Sequence, residues 1–361
     1  MKAMGWSKLL LPKFGIFFAS TLGLSLGLRA QELDGIKLPK NGKLYPRGVN
    51  ARIESTIQKG AKYLVRTQNR DGSWRANGSS NGYPIAMTSL AGFALMATGS
   101  TPMRGPYAPN IRKAAEFLMR HSLKSGLISI LQEEERPMYG HGFAMLFLGE
   151  VYGMEVDLKM QRRLRRVLDK AIRLTAKSQS SYGGWNYAPG DNYDEGSVTV
   201  TQVQGLRACR NAGINVPKKV IRNAVKYIAD SANEDGGIRY GARFRGPSRP
   251  AITAAACAVL YNAGKYDDKM AKKAMQYAKS HISPTRSGGF HFYAQLYFAE
   301  ALYQEGGRDW DRYYKEIAAY MMKQQSSKGY WQGDGVGRTY GTAIALIILN
   351  LPYARLPILQ R

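Results

Sequence analysis

SQSSYGGW, residues 178–185, sets a Gly-Gly turn between a glutamine and a tryptophan. Glycine reaches left-handed backbone without penalty, so the pair marks a sharp chain reversal. Ahead of it, Val167, Ala171, Leu174 and Thr175 fall at i, i+4, i+7 and i+8, the single stripe of an amphipathic helix. Behind it comes a second helical stretch, TQVQGLRACRNA (201–212), apolar on most of its faces.

The same order repeats along the chain. The stripe recurs at Ile57/Ala61/Leu64/Val65, Ile111/Ala115/Leu118/Met119, Val220/Ala224/Tyr227/Ile228, Met270/Ala274/Tyr277/Ala278 and Tyr313/Ile317/Tyr320/Met321. Successive starts differ by 54, 56, 53, 50 and 43 residues, a spacing that marks a repeat architecture. The turns read DGSW (71–74), SGL (125–127), GGW (183–185), GGI (236–238), GGF (288–290) and GYW (329–331). The second helices are IAMTSLAGFALMA, HGFAMLFLGEVY, TQVQGLRACRNA, ITAAACAVLYNA, AQLYFAEALYQE and TAIALIILN, and helices apolar nearly all round are buried ones. Five of them end at a glycine suited to a left-handed cap: Gly99, Gly153, Gly213, Gly264 and Gly306.

Six such units cannot bury their apolar faces alone and must stack. An open stack needs polar ends, yet the last unit runs into the apolar tail Leu349–Leu359, interrupted by Pro352 and Pro357. Closure into a ring follows: an all-α (α/α)6 toroid of six helical hairpins, amphipathic helices outside and buried helices inside. The inner helices then start at one rim, which gathers the turns and six positive helix ends and is the default site. Trp74, Trp185 and Trp331 read as packing wedges between helices.

The whole chain is consistent with this. It has 361 residues, 44% hydrophobic, enough for a large core. Residues 51–361 read as the toroid and 31–50 as a linker. Residues 1–30 read as an export signal: Lys2, Lys8 and Lys13 precede the apolar run Phe14–Leu28, with Ala30 behind it. The expected location is the periplasm or cell envelope, with the signal either cleaved or kept as an anchor. Two cysteines, Cys209 and Cys257, form no metal spacing, and neither a metal nor another cofactor is expected. A net charge of +26 attracts anions, so an anionic ligand and a peripheral contact with an anionic membrane surface are expected. Export argues against nucleic acid. The sequence does not fix the oligomeric state.

Gln68–Trp74 (QNRDGSW), SQSSYGGW and QQSSKGYW (324–331) together resemble the repeat of the squalene/terpenoid cyclase and protein prenyltransferase superfamily. In that superfamily Gln-to-Trp turns tie outer to inner helices. The resemblance spans roughly residues 50–350 and implies an isoprenoid or other apolar ligand in a deep central cavity.

Prenyltransferases are most similar at residues 236–260, GGIRYGARFRGPSRPAITAAACAVL. There the resemblance implies a diphosphate-binding basic loop, here Arg239, Arg243, Arg245 and Arg249. The family's zinc-binding Asp falls near Ala251–Ile252, with Cys257 a turn further on and His291 in the next unit, so the zinc set is not kept. Squalene-hopene-type cyclases carry Asp-x-Asp-Asp before an inner helix. Asn192-Tyr193-Asp194-Glu195 stands in a comparable place and puts Asp194 at the proton-donor position, with Asn and Glu for the flanking acids. Such a donor must be a protonated carboxyl kept from water. The alternative is an acidic cap of the following helix, and the hydrophilic run Gly190–Gly196 favours solvated acids.

Tyr83, Tyr139, Tyr193, Tyr293 and Tyr340 recur near the starts of inner helices and would present aromatic faces to a ligand. His141 is either an acid-base or ligand group at the rim or a hydrogen-bonded structural histidine. Export, tyrosines and rim arginines also suit an acidic-glycan binder, lyase or hydrolase on the same toroid. A non-catalytic envelope scaffold is a third reading, since fold alone assigns no activity.

Overall fold

Outer helices carry one apolar stripe each, and the repeat sets them in alternation with inner helices. In the computed structural model the described residues are 44–78, 82–243, 245–287 and 289–360. The outer helices are α1 (Ala51–Thr67), α3 (Ala108–Arg120), α5 (Leu158–Lys177), α7 (Lys218–Asp230), α9 (Lys269–His281) and α11 (Gly307–Gln324). The inner helices are α2 (Pro84–Ala97), α4 (Pro137–Met154), α6 (Gly196–Asn211), α8 (Pro250–Asn262), α10 (His291–Glu305) and α12 (Arg338–Asn350). The expected (α/α)6 toroid is what the chain forms, with no β-strand among the described residues.

Helix α5 shows the outer type. Asp157 caps it by accepting from the Lys159 and Met160 amides, and Met160, Leu164, Leu168, Ala171 and Ile172 form its buried stripe. Helix α2 shows the inner type, with every residue from Pro84 to Ala97 buried. Each inner helix packs on the next around the ring, and α12 returns to α2. Close approach has a cause in places: a Cβ on Gly205 would lie 2.7 Å from the Gly142 carbonyl oxygen, so the α4–α6 contact requires glycine.

The Gln-to-Trp turn is a bracket between neighbouring units. Gln179 Nε2 donates to the Gly183 carbonyl of its own turn and to the Val220 carbonyl of α7, each at 2.8 Å. Gln68 makes the same pair of bonds to Gly72 and Asn110. Gln325 bonds Gly329 and, across the seam, Thr56 of α1, so the last unit is bracketed to the first. The indole N–H of Trp74, Trp185 and Trp331 donates to the carbonyl of Leu64, Thr175 and Met321 in the preceding outer helix. All three indoles are buried, as packing wedges should be.

Two details differ from expectation. Gly153 is not a left-handed cap, because α4 continues to Met154; Gly99, Gly213, Gly264 and Gly306 do have positive φ. The fold takes in residues ahead of α1: Arg47 pairs with Asp311 at 2.8 Å. The C-terminal tail makes two short 3-10 turns, Leu351–Tyr353 and Pro357–Leu359. Tyr353 OH donates to Glu54 of α1, and Ile358 and Leu359 enter the axis at the far end of the inner helices. There the Ile358 amide donates to Glu150 Oε1 at 3.3 Å. The proposed export signal and most of the linker lie outside the described residues. No described helix is long and apolar enough to cross a membrane.

Candidate functional site

The inner helices do start at one rim, but the positive ends of five of them are already used. The Ile85 amide of α2 donates to Glu134 Oε1 at 2.9 Å. In α4 and α6, the Met138 and Gly196 amides donate to the Tyr187 and Tyr240 carbonyls. Asp334 accepts from the Phe292 and Tyr293 amides of α10, and Asn77 from the Arg338 amide of α12. In each case the partner comes from the next unit round the ring. These contacts knit the rim together and leave little of the helix dipole to recruit a free anion.

Asp194 and Glu195 are both buried, at 3% exposure, which corrects the expectation of solvated acids. The turn folds back under α7 and takes them with it. Glu195 is the helix cap: its carboxylate accepts from the Val198 amide at 3.0 Å and from Ser197 Oγ at 2.5 Å. Asp194 sits between turn and outer layer. Its Oδ2 accepts from Ser180 Oγ at 2.9 Å, and its Oδ1 is buried with no hydrogen-bond partner among the described residues. A Cβ on Gly184 would lie 2.7 Å from the Asp194 Cβ and 3.0 Å from the Tyr227 ring, so the carboxylate shares its space with an outer-helix tyrosine. Burial raises the pKa of both acids, against the hydrogen bonds that lower it.

His141 is fully buried. The Ile128 amide donates to its Nδ1 at 3.1 Å, and its Nε2 is 3.0 Å from Thr175 Oγ1. In four other units a threonine hydroxyl accepts the equivalent turn amide: Thr88 from Trp74, Thr199 from Trp185, Thr253 from Ile238 and Thr342 from Trp331. His141 therefore stands in the position of a turn-anchoring threonine. Burial lowers its pKa to about 4, so it is neutral at ordinary pH.

The other predicted residues divide into two groups. Tyr139, Tyr293 and Tyr340 lie in the first turns of inner helices, with Tyr139 OH in contact with Ser197 and 3.4 Å from Glu195 Oε2. Tyr293 packs edge-on against Tyr297 at 4.8 Å, and its hydroxyl is buried without a partner among the described residues. His291 Nδ1 is 3.3 Å from Ser287 Oγ, and burial lowers its pKa. Tyr193 is 57% exposed, and the Arg243 guanidinium sits 5.1 Å from its ring and 5.0 Å from that of Tyr182. Arg239 is spent internally, on the Ala232, Asp230 and Ala242 carbonyls and Asn233. Arg245 is exposed. Arg249 lies over Tyr240 at 5.0 Å.

Two residues that the motifs did not flag complete the rim. Tyr187 OH and Tyr240 OH are 2.5 Å apart, and Arg136 lies 4.4 Å over the Tyr187 ring. With Tyr139 at 5.8 Å from Tyr187 and Arg249 behind Tyr240, they form a half-buried Tyr–Arg patch across the second, third and fourth units. Buried glutamates in apolar helices were also missed, though a lone acid within FLGEVY or YFAEAL is a visible signal. Glu300 accepts from Gln204 Nε2 at 2.7 Å and Asn262 Nδ2 at 3.2 Å; burial raises it to about 7, and Glu150 likewise.

The axis itself is nearly full, which corrects the expectation of a deep cavity. About 20 Å³ remains beside Glu300 and Gln204, walled by Leu90, Phe93, Phe143 and Leu146 and closed by Ile358 and Leu359 of the tail. Ligand pockets usually hold about 300–1,000 Å³. A larger concavity of about 490 Å³ lies outside the ring, between Asp235 and Lys273, Tyr277 and His281 of α9.

No family model matches the chain. The class that the architecture defines is the α/α-toroid protein. A similar solved structure is an inactive variant of an α-1,6-mannanase of Salegentibacter sp. in complex with α-1,6-mannotriose. Its TM-score is 0.62 at 8% identity, over 82% of this chain and 98% of that one. A D-mannose isomerase gives 0.58 at 12% identity, over 85% and 99%. A variant of the type II terpene cyclase MstE of Scytonema, in complex with geranylgeranyl dihydroxybenzoate, gives 0.55 at 13% identity, over 85% and 98%. At these identities the likeness establishes the fold.

Proposed function

We propose that the chain is an exported α/α-toroid protein that binds an anionic ligand of the acidic-glycan class at its rim. One observation carries this reading: the Tyr187–Tyr240 hydroxyl pair, 2.5 Å apart, with Arg136 and Arg249 over the two rings. Phenol faces stack on the apolar faces of sugar rings, and guanidinium forks pair with carboxylate or sulfate groups. Arg243, stacked on exposed Tyr193, extends the same surface. The mannanase neighbour carries its mannotriose on a toroid of this kind, which supports the reading.

The isoprenoid reading rests on the Gln-to-Trp resemblance and the cyclase neighbour. One observation favours it: the axial lining of Leu90, Phe93, Phe143, Leu146, Leu296 and Ile347 is apolar. In that reading Ile358 and Leu359 must leave before a ligand enters.

The test is thermal stabilisation and product formation with a panel of polyuronates and sulfated glycans. Stabilisation that is lost in Arg136→Ala/Arg249→Ala, with the unliganded melting temperature kept, is the expected result. An unsaturated product would add lyase chemistry to binding. No response to any anionic glycan sinks the reading; a response to isoprenoid alcohols alone would favour the second, and silence to both a scaffold.

A further inference from the structure

One outer helix is densely basic. Helix α5 carries eight Lys and Arg against one acid, Asp169. Asp169 is taken by Arg165 at 2.9 Å. Lys159, Arg162, Arg163, Arg166, Lys170 and Arg173 are exposed and make no ion pair within 4.0 Å among the described residues. So dense an unpaired row repels itself in solution and gains from an anionic surface.

Apolar side chains stand at the N-terminal end of this helix. Val156 is 70% exposed, Leu158 65% and Met103 42%. Met103 and Val156 belong to two adjacent connections, α2–α3 and α4–α5, which Arg112 ties together, and Leu158 opens α5. Its Nη1 lies 2.9 Å from Met103 Sδ and 3.4 Å from Glu155 Oε2. Glu155 in turn accepts from the Val156 and Asp157 amides, so the loop that presents Val156 is internally fixed. These connections join inner-helix ends to outer-helix starts, at the end of the ring opposite the mouth.

The geometry points to a docking surface for an anionic lipid bilayer, made of Met103, Val156 and Leu158 with the α5 cations around them. Apolar tips ringed by cations suit a bilayer interface: the tips enter the head-group boundary and the cations meet lipid phosphates. An acidic polysaccharide would use the cations and leave the tips in water. Docking at this end leaves the Tyr–Arg mouth facing away from the membrane. The inference stands independently of what the mouth binds.

The experiment is flotation of the full chain with phosphatidylcholine vesicles, with and without phosphatidylglycerol. The expected result is retention on anionic vesicles that declines with salt. Arg162→Glu/Arg166→Glu should weaken binding by at least about tenfold. Val156→Ser/Leu158→Ser should weaken it several-fold and keep the salt dependence. All four sites are exposed, and unchanged circular dichroism would verify the fold. Equal retention of the parent chain and both variants overturns the proposal, as does equal binding to neutral vesicles or capture by immobilised polyuronate with no vesicle binding.

Discussion

Gly329 and Lys59 meet across the seam of the ring. A Cβ on Gly329, whose φ is +92°, would fall 2.6 Å from the Lys59 carbonyl oxygen. The last turn is thus pressed on the first outer helix as closely as Gly183 is on Asn223 within the ring, at 2.3 Å. Gly329→Ala should cost more than about 2 kcal/mol, through left-handed strain plus a clash that only backbone movement relieves. Gly335, at φ +75° with nothing within 4 Å of its Cβ, is the control, and its alanine variant should cost about 1 kcal/mol. Urea unfolding of both variants checks this. Equal losses would mean that the seam is not closed by contact.

Glu300 makes stability depend on pH. Its carboxyl has a pKa raised from 4.5 to about 7 by burial. Between those values the unfolded chain has released the proton and the folded chain has not. Stability contributed by this site therefore falls as pH rises from 4.5 to about 7 and levels off above. Glu300→Gln should remove that slope and be more stable than the parent at about pH 8, by as much as about 3 kcal/mol. Asn262 Oδ1, buried without a partner among the described residues, can accept from the new amide. Melting temperatures of the two chains across about pH 4 to 8 measure the difference.

His141 has the opposite sign. Its pKa is lowered from 6.5 to about 4, so the unfolded chain binds a proton that the folded chain refuses. Stability from this site is lost as pH falls from 6.5 towards 4. The imidazole signal should show no titration above about pH 5 by NMR. His141→Ala should cost about 2–4 kcal/mol, because it leaves the Ile128 amide without a partner and opens a buried gap beside Thr175.

Asp194 serves as a strut between turn and outer helix. Asp194→Asn keeps an acceptor for Ser180 and should leave ligand binding and the melting temperature close to the parent values. Asp194→Ala removes the acceptor from the buried Ser180 hydroxyl and should cost about 1–3 kcal/mol. An Asp194→Asn variant with an unchanged melting temperature, paired with a parent chain that turns over an isoprenoid substrate the variant cannot, would restore the proton-donor role.

Local signals made the architecture legible. The stripe from Val167 to Thr175 and the Gly-Gly turn at 183–184 are statements about neighbours in sequence, and six copies in phase leave few ways to bury twelve apolar faces. The site was less legible because its members are brought together by closure. Tyr187 and Tyr240 belong to different units, and neither sits in a recognisable motif. DNYDEG reads as a flexible acidic loop when taken alone. In the ring, Gly184 and Tyr227 draw Asp194 inward, and Glu195 becomes the helix cap.

Periodicity and turn chemistry were enough for the helical hairpins, their number, their inner and outer assignment and the wedging tryptophans. The closed ring was needed to show that five inner-helix starts are capped by neighbouring units and that His141 replaces a threonine. It was needed, too, to show that Ile358 and Leu359 fill the axis. Burial and hydrogen-bond satisfaction are properties of packed units, whereas helix periodicity is a property of a single segment. A carboxylate or an imidazole has no fixed environment until the next unit is packed against it.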